Sequence, residues 1–517
     1  MVAKSLGTRC NSISSWNTSL PVNRLPPELL AEIFHNVKAH SVPKTYANWI
    51  RLTHICSYWR TVALGTPILW TDIDLSKDPR VLRHFLQYSQ DAVLDVYSSG
   101  SMPNLLWGTV PTVPPVILYI LPHAHRIRSL RWFGLSRSEM QILLSNLIFA
   151  APSLETLELS CSHHGKRDDL LFAPAENQFP RIRSISLSGI FIPLSLSMFR
   201  GLVSLQLGHL NSSHTPSMDM LLDVLEACPD LHVLSITHPP RKSAQKWHSN
   251  SIVSLPRLSQ LGILNMSPDM PHLLDYLRIS AQTCVDIRGQ STLAMSDEEA
   301  CAPFLFSGRT RLPNLTDVTD VAISLSTLLS FDLELTATAA SAQKLRVRLA
   351  YTQFSRSAPS KGASTVYRTF AQLFGSSPVR SLCTSGMGGT VDTWRDTLRS
   401  FPLLQRLHVQ FIGAEEAVSL LRCLAGEAEE ELVCPELVHL GLPNHLDPQL
   451  LAAVVVCLDR RAARGCRLGT FSWRILNGSR QRFRLKTETI EMIKRKVEVF
   501  ECDASEARRS ASAAILL

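Results

Sequence analysis

The sequence lacks the features of exported and membrane-spanning proteins. Its first twenty residues never collect the apolar run of a secretory signal. The longest uncharged stretch with the apolar composition of a membrane segment, residues 105–122, contains four prolines, and these would interrupt a transmembrane helix. The five Asn-x-Ser/Thr triplets are interpreted as chance, because a chain without a signal does not meet the glycosylation machinery. These absences predict an intracellular protein, cytoplasmic or nuclear.

Cysteine spacing and missing motifs exclude several kinds of site. The twelve cysteines lie far apart, and the nearest pair, Cys457 and Cys466, is separated by nine positions. Neither a zinc pattern nor a dense disulfide framework fits this spacing, so the thiols are predicted to be reduced. The motifs GxxxxGK, GxGxxG, HExxH and GxSxG are absent. We therefore expect no metal, no cofactor and no catalytic residue.

Two polar segments are the best local candidates for a ligand site, and each has a simpler interpretation. CSHHGKRDD, residues 161–169, combines a thiol, two imidazoles and two carboxylates, but adjacent residues are poorly spaced for tetrahedral zinc. SGMGGT, residues 385–390, offers backbone N–H groups to an anion without the lysine of a phosphate loop. We interpret the first as a polar loop and the second as a flexible connection.

Positive charge is concentrated near the C-terminus. Residues 459–509 contain fourteen Arg/Lys and seven Asp/Glu, which accounts for +7 of the net +8. Signatures of nucleic-acid-binding modules are missing, so a solvated basic face is the favoured interpretation. Its aromatic and basic residues are compatible with an anion-binding patch, although a terminal strand with one wet face is preferred. They are Trp473, Arg474, Arg480, Arg482, Phe483 and Arg484.

Two amphipathic stretches near the N-terminus predict a small helical module. LPPELLAEIFHNV, residues 25–37, repeats apolar residues at helical spacing after two prolines suited to a first turn. A second apolar stripe runs from Trp49 to Ala63 and is followed by Gly65 as a stop. Because a module of this size cannot bury all of these apolar groups internally, part of the apolar stripe is expected to face a partner.

The residues of this module resemble the F-box. The resemblance is carried by LPPELLAEIF, THICSYWRTVA and TPILW, in the order and spacing of that family, over about Leu25 to Leu75. The resemblance implies that the module binds a Skp-type adaptor. The adaptor would link it to a cullin and a RING subunit in an SCF ubiquitin ligase. The matching residues, expected to face the adaptor or to shape the module, are Leu25, Pro26, Leu29, Ile33, Phe34, Ile55, Cys56, Trp59 and Arg60.

A repeated LxxLxL pattern follows the module. Its first apolar residues are Ile127, Leu154, Ile182, Leu202, Leu231, Leu258, Leu404, Leu437 and Leu468, spaced 20 to 33 residues apart within each run. This spacing is typical of leucine-rich repeats, in which each copy forms a strand and a returning helix or turn. The pattern weakens between about 283 and 400, where strands are still expected, and VEVFEC is predicted to be a last edge strand.

The predicted fold is therefore α plus α/β, with a helical F-box module followed by an irregular leucine-rich-repeat solenoid. The predicted parts are a flexible N-terminus at 1–20, the module at 21–75, the repeats at 76–502 and a tail at 503–517. The combination resembles fungal F-box proteins. For the repeats, the alternative is an ordinary α/β domain in which the LxxLxL strings are coincidental. For the N-terminal module, the alternative is a three-helix cap that only seals the hydrophobic end of the next domain.

The predicted function is that of a non-catalytic substrate receptor of a ubiquitin ligase. The repeats would bind a target protein, whose contact residues the sequence does not reveal. Two other functions stay open at this point: a protein-interaction scaffold without a ubiquitin role, and a leucine-rich-repeat receptor that senses a small ligand. A basic cluster inside the repeat cup would favour the last of these.

Overall fold

The computed structural model describes seventeen segments of the chain, with gaps between them. They are residues 20–40, 47–99, 113–161, 170–194, 197–208, 216–237, 252–266, 273–291, 312–326, 331–340, 342–351, 373–386, 389–410, 413–426, 432–443, 448–474 and 487–503. The predicted flexible N-terminus lies outside them except for Leu20, and the predicted tail except for Asp503. The chain divides into two compact units, Met1–His214 and Thr215–Leu517, and each is described by itself.

The first unit begins with short helices. They are a 3-10 turn at Pro21–Arg24, α1 at Pro27–His40, α2 at Ala47–Ile50, a 3-10 turn at Arg51–His54, α3 at Ser57–Leu64 and a 3-10 turn at Pro67–Trp70. The predicted first helix is confirmed, and it starts two residues late because Pro27 suits a first helical turn.

The second apolar stripe forms three short pieces, α2, the 3-10 turn at Arg51–His54 and α3. Cys56 has extended backbone, and its sulfur accepts a hydrogen bond from the Trp59 N–H at 3.5 Å, so it caps α3. This cap is the physical reason for the break in the stripe, since an N-cap residue leaves helical geometry. Gly65 follows the last residue of α3, as predicted.

A parallel sheet completes the first unit. Its strands are β1 at Asp72–Asp74, β2 at Leu94–Ser99, β3 at Ile127–Leu135, β4 at Thr156–Cys161, β6 at Ser184–Ser188 and β8 at Ser204–Gly208, paired in that order. A small parallel pair joins β5 at Leu170–Leu171 to β7 at Ile190–Phe191. Three helices lie between strands: α4 at Pro79–Tyr88, α5 at Val113–Ile120 and α6 at Arg137–Asn146.

The second unit contains a larger mixed sheet. Its strands are β9 at Val233–Thr237, β11 at Gln260–Met266, β13 at Cys284–Ser291, β14 at Asp320–Ser326, β15 at Phe331–Ala339, β16 at Ala342–Tyr351, β17 at Ser381–Ser385, β18 at Arg406–Gln410, β19 at His439–Pro443, β20 at Thr470–Arg474 and β21 at Val499–Asp503. The pairing order is β9, β11, β13, β16, β15, β14, β17, β18, β19, β20, β21. Only β15 runs antiparallel to both of its neighbours within this described sheet.

The second unit also contains a short strand pair and several helices. A short parallel pair joins β10 at Val253–Leu255 to β12 at Leu277–Ile279. The helices are α7 at Met218–Glu226, α8 at Val391–Arg399, α9 at Ala414–Ala425, α10 at Pro448–Ala463 and α11 at Thr487–Lys494. The returning helices expected between repeat strands are present, for example, as α6 in SEMQILLSNLIFA and α7 in SMDMLLDVLEAC, two segments with apolar residues at helical spacing.

Each LxxLxL copy leads into or forms a strand whose apolar residues lie inward. In β4, for example, Leu157 and Leu159 are buried while the alternate residues Thr156, Glu158 and Ser160 are half-buried, and Leu154 is buried just before the strand. The strands expected where the pattern weakens are present as β13 to β17, and the predicted last edge strand is β21. The serine-rich break at 354–364 lies outside the described residues.

A buried arginine holds the connections between α9, β19 and α10. The side chain of Arg461 is fully buried, and its Nη atoms donate to the carbonyls of Leu424, Val433 and Cys434 at 3.4, 3.1 and 2.8 Å. Burial raises the pKa of the thiols of Cys434 and Cys457 to about 12, so both stay neutral. The positive charge is therefore balanced by backbone carbonyl dipoles.

Replacing Arg461 with Met is expected to lower the free energy of unfolding of the second unit by about 3 kcal/mol, because three buried carbonyls lose donors. Urea denaturation of the full chain followed by tryptophan fluorescence measures the change. Arg422→Met is the control, since Arg422 is exposed on α9. Similar losses in both variants would contradict the assigned role of Arg461.

Candidate partner-binding surface

The inner face of the N-terminal helices forms a small core. Leu30 and Phe34 of α1 are both fully buried, and the Phe34 ring lies 5.2 Å from the Trp59 ring between centroids. Val62 and Ala63 of α3 are also buried. The two helices are thus joined by apolar contact along one side of each.

Three hydrogen bonds fix the chain around this core. The indole Nε1 of Trp59 donates to Oδ1 of Asn23 at 2.6 Å, and the hydroxyl of Tyr58 donates to the carbonyl of Leu25 at 2.7 Å. The guanidinium Nε of Arg60 donates to the carbonyl of Thr53 at 2.8 Å. Trp59 and Arg60 therefore shape the module, by attaching α3 to the segments that precede α1 and α3.

The outer face of α1 carries a row of exposed apolar side chains. Leu29, Ile33 and Val37 follow one another at four-residue spacing and are 48%, 41% and 36% exposed. Ile55 and Ile68 of the same module are 55% and 54% exposed. Large apolar side chains grouped on one small module are typical of a protein-binding surface. We call Leu29, Ile33 and Val37 the α1 row.

The module is continuous with the sheet of the first unit. The indole ring of Trp70 lies 5.0 Å from both Trp49 and Phe85 between centroids, and its Nε1 donates to the carbonyl of Ala63 at 2.8 Å. Lys38 Nζ lies 2.9 Å from the Asp72 carboxylate, at the start of β1. The aromatic contacts therefore join α2 and α4 to the Pro67–Trp70 turn, and the ion pair joins α1 to the first strand.

The nine residues predicted from the F-box resemblance divide into three groups by exposure. Pro26, Leu29, Ile33, Ile55 and Arg60 are exposed, and Leu25, Cys56 and Trp59 are half-buried. Phe34 is fully buried, so its contribution is to the core of the module and not to a partner contact. The separation follows from helix geometry, because Ile33 and Phe34 are about 100° apart around the axis.

Nothing in the local sequence marks Val37 and Ile68 as exposed surface residues or Lys38 as the ion-pair partner of Asp72. Val37 was visible as a member of the apolar stripe of α1, but the spacing alone does not distinguish its outer and inner rows. Ile68 is exposed between the half-buried Pro67 and the buried Leu69 because Pro67–Trp70 forms a 3-10 turn. No pattern in TPILW indicates that turn.

The other candidate segments show no second site within the described part of the chain. Residues 162–169 of the Cys161 cluster, Met387 and Gly388 of the glycine segment, and Arg480, Arg482, Phe483 and Arg484 of the basic patch lie outside it. Trp473 is fully buried in β20. Among the described residues no group of three His, Cys, Asp or Glu side chains is placed to hold a metal, and no helix there has the length and apolarity to span a bilayer.

Comparison with known proteins places the module in a recognised class. Residues 22–76 match the family model described as F-box-like. A search of curated proteins finds no relative of the chain. The chain thus has an N-terminal helical F-box-like module followed by a mixed α/β region with a large sheet. F-box domains are in general non-catalytic adaptors in ubiquitin ligation.

Replacing Phe34 with Ala is expected to destabilise the helical module by about 3 to 4 kcal/mol, since it leaves a cavity in the core. Ile33→Ala removes an exposed side chain and is expected to change stability by less than about 0.5 kcal/mol. Hydrogen exchange of the α1 and α3 amides in the full chain measures both effects. Equal loss of protection in the two variants would contradict the assignment of the two faces.

Proposed function

We propose that the protein is the substrate-recognition subunit of an SCF-type ubiquitin ligase. The observation that carries the proposal is the α1 row, which leaves apolar side chains exposed on the segment that matches the F-box-like model. A Skp-type adaptor would cover this row, and through it a cullin and a RING subunit would be recruited. Leu29 and Ile33 are the proposed contacts on α1, and Ile55 is the proposed contact before α3.

The proposed role of the remaining chain is to bind a target protein, inside the cell. We assign residues 76–502 to an irregular leucine-rich-repeat domain, supported by the parallel strands that follow the LxxLxL copies. The chain itself catalyses nothing in this proposal. Tethering target and ubiquitin carrier in one complex makes their encounter intramolecular, at an effective concentration that reaches about the millimolar range.

A scaffold without a ubiquitin role is the second candidate. It is favoured by the packing of Trp70 against Phe85, which joins the module to α4, a helix between the first two strands. A cap of that kind accounts for the buried side of the module. It gives no reason for three exposed apolar residues at four-residue spacing on the opposite side, so the adaptor proposal is preferred.

The double variant Leu29→Asp with Ile33→Asp is expected to weaken binding to a Skp-type adaptor at least about a hundredfold, because two charges would be buried in an apolar contact. Co-expression of the full chain with the adaptor, followed by size exclusion and calorimetry, measures the loss. Circular dichroism should show an unchanged helix content, since both positions are exposed.

Ile142→Asp is the matched control, because Ile142 is an apolar residue of α6 that is 38% exposed in the same unit. It should bind the adaptor as the unmodified chain does. If the unmodified chain forms no complex with any Skp-type adaptor, the ligase proposal is wrong and the scaffold is the function to pursue.

A further inference from the structure

One face of the sheet in the second unit carries charged side chains on three neighbouring strands. In β13 and β16, Ile287 and Val347 are buried on one face, and residues on either side of them in sequence lie on the other. Strand geometry therefore places Asp286 and Arg288 of β13 on the same face as Arg346 and Arg348 of β16. Glu334 of β15 joins them, as the register partner of Arg348.

The register places two arginines side by side. Arg288 and Arg348 are direct partners in the parallel pair of β13 and β16, so their Cα atoms are about 4.8 Å apart across the strands. Like charges directly opposite each other in a sheet are destabilising. The two side chains are 48% and 38% exposed, so their ends are open to a ligand from solvent.

Each arginine of this pair also lies close to a carboxylate. Asp286 accepts from Arg288 Nη2 at 2.8 Å. Glu334 is shared by two arginines, at 2.7 Å from Arg346 Nη2 and 3.3 Å from Arg348 Nε. Three guanidinium groups therefore meet two carboxylates, which leaves one positive charge in excess among these five side chains.

We propose that Arg288 and Arg348 together bind one oxyanion, the phosphate or carboxylate group of a ligand. Each guanidinium presents five N–H donors in a planar fork, which matches the oxygens of either group. An anion between them would replace like-charge repulsion by two charge-assisted contacts. This anion site is distinct from adaptor binding and depends only on the sheet of the second unit. Its test is therefore independent of the ligase proposal.

The test uses the purified full chain and two small probes at constant ionic strength. Inorganic phosphate is followed by phosphorus NMR line broadening and labelled acetate by carbon NMR, so the two probes distinguish a phosphate from a carboxylate ligand. Arg348→Gln is expected to weaken binding of whichever anion binds by at least about fivefold, because charge-assisted donors are lost. Saturable binding of either anion that depends on Arg348 supports the proposal.

Arg406→Gln is the matched control, because Arg406 lies on the same sheet and has its own single carboxylate, Asp320, at 3.2 Å. It should leave the affinity within about twofold of the unmodified chain. Without added anion, Arg348→Gln should unfold at the same or a higher temperature, since it removes the repulsion. Arg288→Gln provides a second variant if Arg348→Gln does not fold.

Two results would overturn the proposal. One is the absence of saturable binding of both probes to the unmodified chain. The other is an anion affinity that is the same in the unmodified chain and in the folded Arg348→Gln or Arg288→Gln variant. In that case the two arginines would only form ion pairs within the sheet.

Discussion

Parallel pairing of short strands with one apolar face is the constraint on which each unit depends. Leu157, Ile185 and Leu205 occupy one register row of the first sheet, and all three are fully buried. Hydrogen bonds between neighbouring strands align these residues, so each strand extends the core left open by the strand before it. No single strand could bury its apolar face alone, which is why the pattern recurs along so much of the chain.

The two candidate surfaces, the α1 row and the charged face of the second sheet, differ in polarity. The helical module has more apolar side chains than its small core can hold, and the surplus is exposed on α1. The sheet of the second unit places its apolar residues inward, so its other face is left with polar and charged residues such as Arg288 and Arg348. An apolar surface thus occurs on the helices and a polar one on the strands. Protein docking suits the first and recognition of charged groups suits the second.

Much of this arrangement could be predicted, and the gaps have physical causes. The strand after Leu154 and the helix after Pro27 follow from local spacing, which reports directly on which side of an element is apolar. The break at Cys56 could not be predicted, because a capping cysteine looks like one more apolar residue of the stripe. The reversal at β15 was also hidden, since FDLEL has the same alternation in a parallel or an antiparallel strand.

The sequence by itself determined the helical module, its F-box resemblance and the strands of the LxxLxL copies, because these depend on residue spacing within a single element. Only the tertiary structure decided that Phe34 is buried while Ile33 is exposed, and that Arg288 lies beside Arg348 sixty positions later in the chain. Both depend on which elements pack together. Helix packing determines which side of α1 is buried, and strand register determines the neighbours of each side chain. Neither can be read from the spacing of residues within one element.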